Sequence, residues 1–303
     1  MINQSTIPTP KVTKAVIAAA GFGTRFLPQT KAMPKEMMPL IDKPIIQYVV
    51  EELVAAGIKD IIIVSGSNKR SIEDHFDNPS QDLIANLEAG GVKKEALLRQ
   101  IAAIGNMANF IYIRQKGPYG NATPVACASH LIGNEPFIYT YADEFFVAKP
   151  NRTQQMIDVH QRYGGSVLAC KKVFEDKDYD RYGFAGGASM ADGVIKVEKI
   201  IEKPGKANAP STSASVSGYL LTPHIFSYID EALANYTSGE FMIQPIMQAM
   251  IDDGLGYYAC EIANGTYYDS GDKLEYLKTG IALALERDDI GPELLQFLRK
   301  KLQ

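Results

Sequence analysis

An apolar run, AVIAAA at residues 15–20, breaks into Gly21-Phe22-Gly23-Thr24-Arg25. Small residues after a buried strand let backbone N–H groups approach an anion, so phosphate is the first chemistry to consider. Two familiar phosphate loops do not match. A dinucleotide fingerprint needs a third glycine where Phe26 stands, and a nucleoside-triphosphate loop needs a Gly-Lys-Ser/Thr that is missing. Downstream, Arg25, Lys31, Lys35 and Lys43 are set against only Glu36 and Asp42, and prolines recur at 28, 34, 39 and 44. Each proline lacks an N–H and disfavours the α region for its predecessor, so no helix follows the strand at once. The segment is predicted to run as an extended cationic rim over the carboxyl edge of a sheet, where open α/β sheets bind ligands. Such a rim suits a polyphosphate; a solvated loop with surface lysines is the other reading.

Two carboxylates occupy comparable places. Asp143, in YTYADEF, comes just past a predicted strand, and Asp269, in YYDSGDK, stands at a strand-to-helix turn before Gly271. Either alone is an ordinary helix cap. Together they have the chemistry to grip one magnesium ion, which keeps several waters and bridges phosphate oxygens. Spacing does not say that they meet.

These residues need a scaffold. Residues 13–20 and 60–66 read as buried strands, and PIIQYVVEELVAAG between them places apolar residues on one helical face, with Pro44 in its first turn and Gly57 at its end. A helix-prone stretch at 80–105, a strand at 110–115, a helix at 123–132, a strand at 137–141 and a helix at 152–163 continue the alternation. Beyond it, SVLACKKV, GVIKVEKIIEK and SVSGYLL are strand-like with shorter links, PGKANAPSTSAS is a surface loop, and residues 272–302 form two helices. The expectation is one α/β domain with a Rossmann-like, mixed but mainly parallel central sheet flanked by helices. Those last helices carry an apolar stripe in LLQFLRKKL, which could pair subunits or pack on their own domain.

Bulk properties exclude several classes. The chain has 303 residues with 46% hydrophobic content, enough for a sizeable core. Its net charge of −4 argues against a general nucleic-acid binder. Cys127, Cys170 and Cys260 are widely spaced in apolar settings, which fits buried thiols in a reducing cytoplasm better than disulfides or zinc. No apolar run approaches the ~20 residues of a membrane span. Residues 1–12 lack the apolar centre of a signal peptide and are expected to be a lead-in.

The run AAGFGTRFLPQTKAMPKEMMPL resembles the signature of the sugar-1-phosphate nucleotidylyltransferases, G-x-G-T-R-x-x-P followed by P-K-x-x-x-P. SIEDHF, EKP and YDSGDKLEY extend the resemblance to about residue 285 and narrow it to the uridylyl-transferring branch. It implies a nucleotide-diphospho-sugar transferase fold over residues 13–271, with 272–303 as its C-terminal helices. The implied reaction joins UTP and glucose 1-phosphate into UDP-glucose and pyrophosphate with Mg2+. A thymidylyltransferase, or a sugar-nucleotide-binding regulator of the same fold with weak turnover, is the alternative, and a homo-oligomer (dimer or tetramer) is expected.

Residue by residue, the resemblance implies that Arg25 and Lys35 are catalytic, holding the triphosphate and departing pyrophosphate. Ala20, Gly21, Gly23, Thr24 and Glu36 would meet the nucleotide, with Gln115 and Gly120 at the base. Gly183, Glu202, Lys203 and Gly218 would meet the sugar phosphate, and Asp143 and Asp269 the metal. Two departures stand out. Asn121-Ala122-Thr123-Pro124 replaces a frequent Gly-His-Ala, and Asp272 replaces an asparagine and reads as a helix cap instead of a ligand.

Overall fold

The computed structural model describes residues 11–191 and 193–303. The predicted lead-in therefore falls mostly on residues 1–10, outside the described residues. β1 (Lys14–Ala19) is followed by the cationic rim, the short strands β2 (Pro39–Leu40) and β3 (Lys43–Pro44), and α1 (Ile45–Ala55). The rim is not extended, as the sequence led us to expect. It is broken into three 3-10 turns, Thr24–Phe26, Gln29–Lys31 and Lys35–Met37. A single i→i+3 bond closes such a turn, so a proline on either side that prevents an α-helix still permits it.

Next come β4 (Asp60–Ser65), α2 (Arg70–His75), α3 (Gln81–Ala89), α4 (Val92–Gly105), β5 (Asn109–Arg114), α5 (Thr123–Ile132) and β6 (Phe137–Tyr141). The helical stretch predicted at 80–105 is two helices, because Gly91 takes φ 65 and ends the first one. β7 (Glu144–Ala148), α6 (Arg152–Tyr163), β8 (Ser166–Lys172), β9 (Gly183–Ser189), β10 (Val194–Glu202), β11 (Ser213–Leu221), α7 (Ile225–Ala234) and α8 (Ile243–Asp252) follow. The chain finishes with β12 (Tyr257–Glu261), β13 (Gly265–Asp269), α9 (Lys273–Leu285) and α10 (Gly291–Lys301).

Among the described residues, nine strands form one sheet in the order β5-β4-β1-β6-β11-β8-β12-β10-β9. The neighbours among β5, β4, β1 and β6 are parallel. Past β6 the pattern changes: β11 runs antiparallel to both β6 and β8, and β10 antiparallel to both β12 and β9, with only β8–β12 parallel. The sheet is thus mixed, and the expectation of a mainly parallel one holds only for its N-terminal half. A parallel pair needs a long crossover, whereas β9 and β10 are joined by a short turn and must run antiparallel.

Along β1, Ala15 and Ile17 pack with α1 on one face, while Val16 packs with α5 on the other. Burial on both faces explains why these strands read as unbroken apolar runs. β7 and β13 stand apart as an antiparallel ribbon in which Asp269 pairs with Glu144. At the C-terminus, the Tyr276 ring meets Phe26 edge-on and its hydroxyl donates to the Pro39 carbonyl at 2.5 Å, seating α9 on the rim. Among the described residues, no helix is long and apolar enough to cross a membrane.

Candidate active site

β1, β4 and β6 all end on one edge of the sheet, and the groups singled out for chemistry gather there. Ala20, Gly21, Lys35, Glu36, Gln115, Gly120 and Asp143 line one cavity of about 310 Å³. Gln115 reaches it from the end of β5, its N–H bonded to the Ser65 carbonyl at 2.8 Å. Gly120 takes φ 139 and lies so close to the Phe241 backbone that a Cβ would strike the Phe241 carbonyl. Asn121, which departs from the family pattern, fastens this loop: Oδ1 accepts from Ile243 N at 2.8 Å, and Nδ2 donates to the Tyr141 hydroxyl and to Gln244 Oε1.

Asp143 and Asp269 do meet. The ribbon brings them together, and Ser270 N donates to the Asp143 carbonyl at 3.0 Å. A Cβ placed on Gly271 would lie 3.0 Å from Asp269 Oδ1 and 3.5 Å from both Asp143 Oδ2 and Arg25 Nη1. Three of the side chains singled out for chemistry thus surround one small residue. Lys35 Nζ completes the group with an ion pair to Asp143 Oδ2 at 2.6 Å, and Arg25 Nη1 donates to the Gly271 carbonyl at 3.3 Å. Gly23 and Thr24 do not line the cavity; Gly23, with φ 65, precedes the turn that carries Thr24 and Arg25.

The electrostatics follow from crowding. Burial pulls the Lys35 ammonium down, but Asp143 and Glu36 outweigh it and hold the group above its ordinary value. Asp269 is raised by burial and by Asp143, against the opposing pull of the Gly271 N–H bond. Glu144, half-buried beside both acids, is pushed up to about 7 by burial first, then by Asp269 and Asp143. Two hard carboxylates with no soft donor beside them fit a magnesium ion, which takes oxygen ligands and keeps waters. Among the described residues no cluster of three or more His, Cys, Asp or Glu side chains suits a metal, so the pair stands by itself.

Glu36 needs a narrower reading than nucleotide contact. Its carboxylate is fully buried, Oε2 is paired with Lys69 at 2.7 Å, and burial raises its pKa against the pull of Lys69 and Lys35. Only Oε1 is left without a partner.

The residues expected to meet the sugar phosphate form a second group. Glu202 pairs with Gly183 across β9 and β10, and its Oε2 would lie 2.8 Å from a Cβ on that glycine. Lys203 follows at φ 48, its Nζ 4.0 Å from Glu202 Oε1. Gly218 sits at φ 131 against the Tyr139 carbonyl, directly after Ser217 at φ 66. Positive φ in two non-glycine residues flanking the same site is the kind of backbone strain that binding sites retain. Gln244 spans the two groups, accepting from Asn121 and donating to Glu202 Oε2 at 3.5 Å.

Sequence reasoning missed three supporting residues. Arg181 Nη2 bonds Asp269 Oδ2 at 3.0 Å and Asp272 Oδ2 at 3.1 Å. Glu144 Oε2 accepts from Ser217 N at 2.8 Å and the Tyr267 hydroxyl at 2.9 Å, tying the Gly218 strand to the aspartate ribbon. Arg152, fully buried, holds Glu52 Oε1 at 2.8 Å and also donates to Ser217. The available signals were that Glu144 directly follows Asp143 and that Arg181 stands two residues before Gly183. Asp272 is a cap, as expected, accepting from Leu274 N and Glu275 N at 3.0 Å each.

Comparison with known proteins adds an independent line. The family model described as "Nucleotidyl transferase" matches residues 14–284. A Bacillus subtilis (strain 168) protein named UTP–glucose-1-phosphate uridylyltransferase is 40% identical over 288 residues, covering 95% of this chain and 96% of that one. A solved UDP-glucose pyrophosphorylase complexed with UDP-glucose superposes with a TM-score of 0.80 at 34% identity, over 91% of this chain and 100% of that one. A UTP-bound enzyme from Acinetobacter baumannii gives 0.85 at 32%, over 95% and 99%.

Proposed function

The chain belongs to the nucleotidyl transferase family, and on that premise we propose that it transfers the uridylyl group of UTP to glucose 1-phosphate, giving UDP-glucose and pyrophosphate. One observation carries this reading: Asp143, Asp269, Arg25 and Lys35 converge at the edge of a cavity that also holds Gln115 and Gly120. A cation cluster, a carboxylate pair and a base-sized recess are the three parts that joining a nucleoside triphosphate to a phosphate requires.

The sugar phosphate oxygen attacks the α-phosphorus of UTP in line. A bond forms there while the bond to the β-phosphate oxygen breaks, and pyrophosphate leaves with that electron pair. No protein nucleophile takes part, so the chain contributes position and charge. Arg25 offers a planar fork to the triphosphate and Lys35 a compact charge at the leaving side. Gln115 supplies a donor and an acceptor to the uracil edge, and the tight Gly120 backbone lets the base approach. Lys203 meets the sugar's phosphate, and Glu202 accepts from hexose hydroxyls beside the bare Gly183 and Gly218. Asp143 and Asp269 would hold magnesium, which when bound neutralises charge developing on the phosphates.

The exposed stripe of Leu274, Leu277 and Ile281 on α9 supports a contact between copies, which light scattering on the purified protein would detect. The catalytic reading is tested by product analysis. UTP, glucose 1-phosphate and magnesium should yield UDP-glucose and pyrophosphate, with UTP outcompeting dTTP at equal concentration. Absence of any nucleotide-sugar product would refute it.

A further inference from the structure

We propose that Phe22 and Tyr119 form an aromatic clasp at the mouth of the nucleotide cavity, stacking on the base of the incoming nucleoside triphosphate. The inference rests on the functional reading above and goes beyond it to two residues with no assigned role. Phe22 is 60% exposed and Tyr119 64% exposed, yet their rings meet with centroids 5.7 Å apart and planes tilted by 49°. They come from different loops. Phe22 lies between Gly21, which lines the cavity, and Gly23; Tyr119 lines the cavity itself, next to Gly120.

Both loops are fixed. The Tyr119 carbonyl accepts from Phe241 N at 2.6 Å, and the Gly23 carbonyl accepts from the Thr30 hydroxyl at 2.7 Å. Two large, mostly exposed rings are therefore held together beside a cavity that both Tyr119 and Gln115 line. Exposed aromatic faces of this kind are stacking platforms: every base has a π face, so the grip is strong and indifferent to the edge of the base. Gln115 reads which pyrimidine has entered, while the clasp sets how firmly it is held.

Because both side chains are mostly exposed, their truncation removes little packing and the fold is not at risk. The test compares Phe22→Ala, Tyr119→Ala, the double variant and Tyr119→Phe in steady-state pyrophosphate release. Each alanine variant should raise the KM for UTP roughly tenfold while kcat holds, as losing one stacking face does. The KM for dTTP should rise by the same factor, the double variant should cost less than the product of the two, and Tyr119→Phe should behave as wild type. Inhibition by inorganic tripolyphosphate, which has no base, should not move.

The chain contains no tryptophan, so Tyr119→Trp places a lone reporter in the clasp. Its emission should change on adding UTP and stay constant with tripolyphosphate. An unchanged or lowered KM for UTP in both alanine variants, or equal weakening of tripolyphosphate, would overturn the clasp while leaving the enzyme assignment intact. If the wild-type protein released no pyrophosphate, the assignment would fail, and the Tyr119→Trp titration would still decide the clasp.

Discussion

Lys35 Nζ lies 2.6 Å from Asp143 Oδ2, an ion pair that joins the cationic rim after β1 to the acid at the end of β6. Burial and the neighbouring Asp143 raise the cost of ionising Asp269, and Lys35 is held charged beside them. Lys35→Met should therefore lower kcat for pyrophosphate release by roughly a hundredfold or more, as losing a preorganised charge does. Turnover at the wild-type rate would remove Lys35 from the mechanism.

Asp143→Asn and Asp269→Asn keep the shape of the pair and remove its charge. Each should cost roughly a hundredfold in kcat, and the double variant little more than either alone, because the two act on one ion. Magnesium titrations of activity give the check: both variants should need far more metal for half-maximal rate, and simple additivity would separate the two residues.

Glu52 and Arg152 form a buried ion pair, and Arg152 also donates to Ser217 next to Gly218. Arg152→Leu leaves Glu52 buried without its counter-charge and should destabilise the fold by about 3–5 kcal/mol. Urea unfolding measures this directly. A shift within about 0.5 kcal/mol, the size expected of a surface change, would deny the pair its structural role.

At Gly218 the chain takes φ 131, and a Cβ would strike the Tyr139 carbonyl of the neighbouring strand. Gly218→Ala should cost about 1–3 kcal/mol in strain alone. It should also raise the KM for glucose 1-phosphate more than that for UTP if Gly218 meets the sugar as proposed. Equal changes in both would argue that the substitution merely loosens the molecule.

His75 bonds Gln47 Oε1 at 2.9 Å, and burial lowers its pKa below the ordinary 6.5. The unfolded chain takes up a proton near 6.5 while the folded one resists, so this contribution is present above that pH. It is lost as pH falls through the folded pKa. Thermal melts between about pH 8 and about pH 5 should show wild type losing stability faster than His75→Gln. Parallel curves would contradict the assignment.

The parts of the site set by local pattern were legible in the sequence. The glycines and cations from Gly21 to Lys35 marked a loop that reaches the cavity, and the apolar runs of β1 and β4 announced buried strands. What escaped depends on partners far along the chain. The strands β7 and β13 are short and pair only with each other, so nothing local says that Asp269 will sit opposite Glu144. Arg152 looks like a surface residue at a helix start until Glu52 and Ser217 close over it. The extended rim failed for a local reason: its prolines exclude an α-helix but allow single 3-10 turns, which charge and spacing do not reveal.

The most direct measurement of the central claim is a crystal of the protein with UDP-glucose and Mn2+, read by anomalous scattering. One metal peak between the Asp143 and Asp269 carboxylates, with the diphosphate beside Arg25 and Lys203 and the uracil against Gln115, is the predicted result. A metal bound elsewhere, or a nucleotide outside this cavity, would contradict the account.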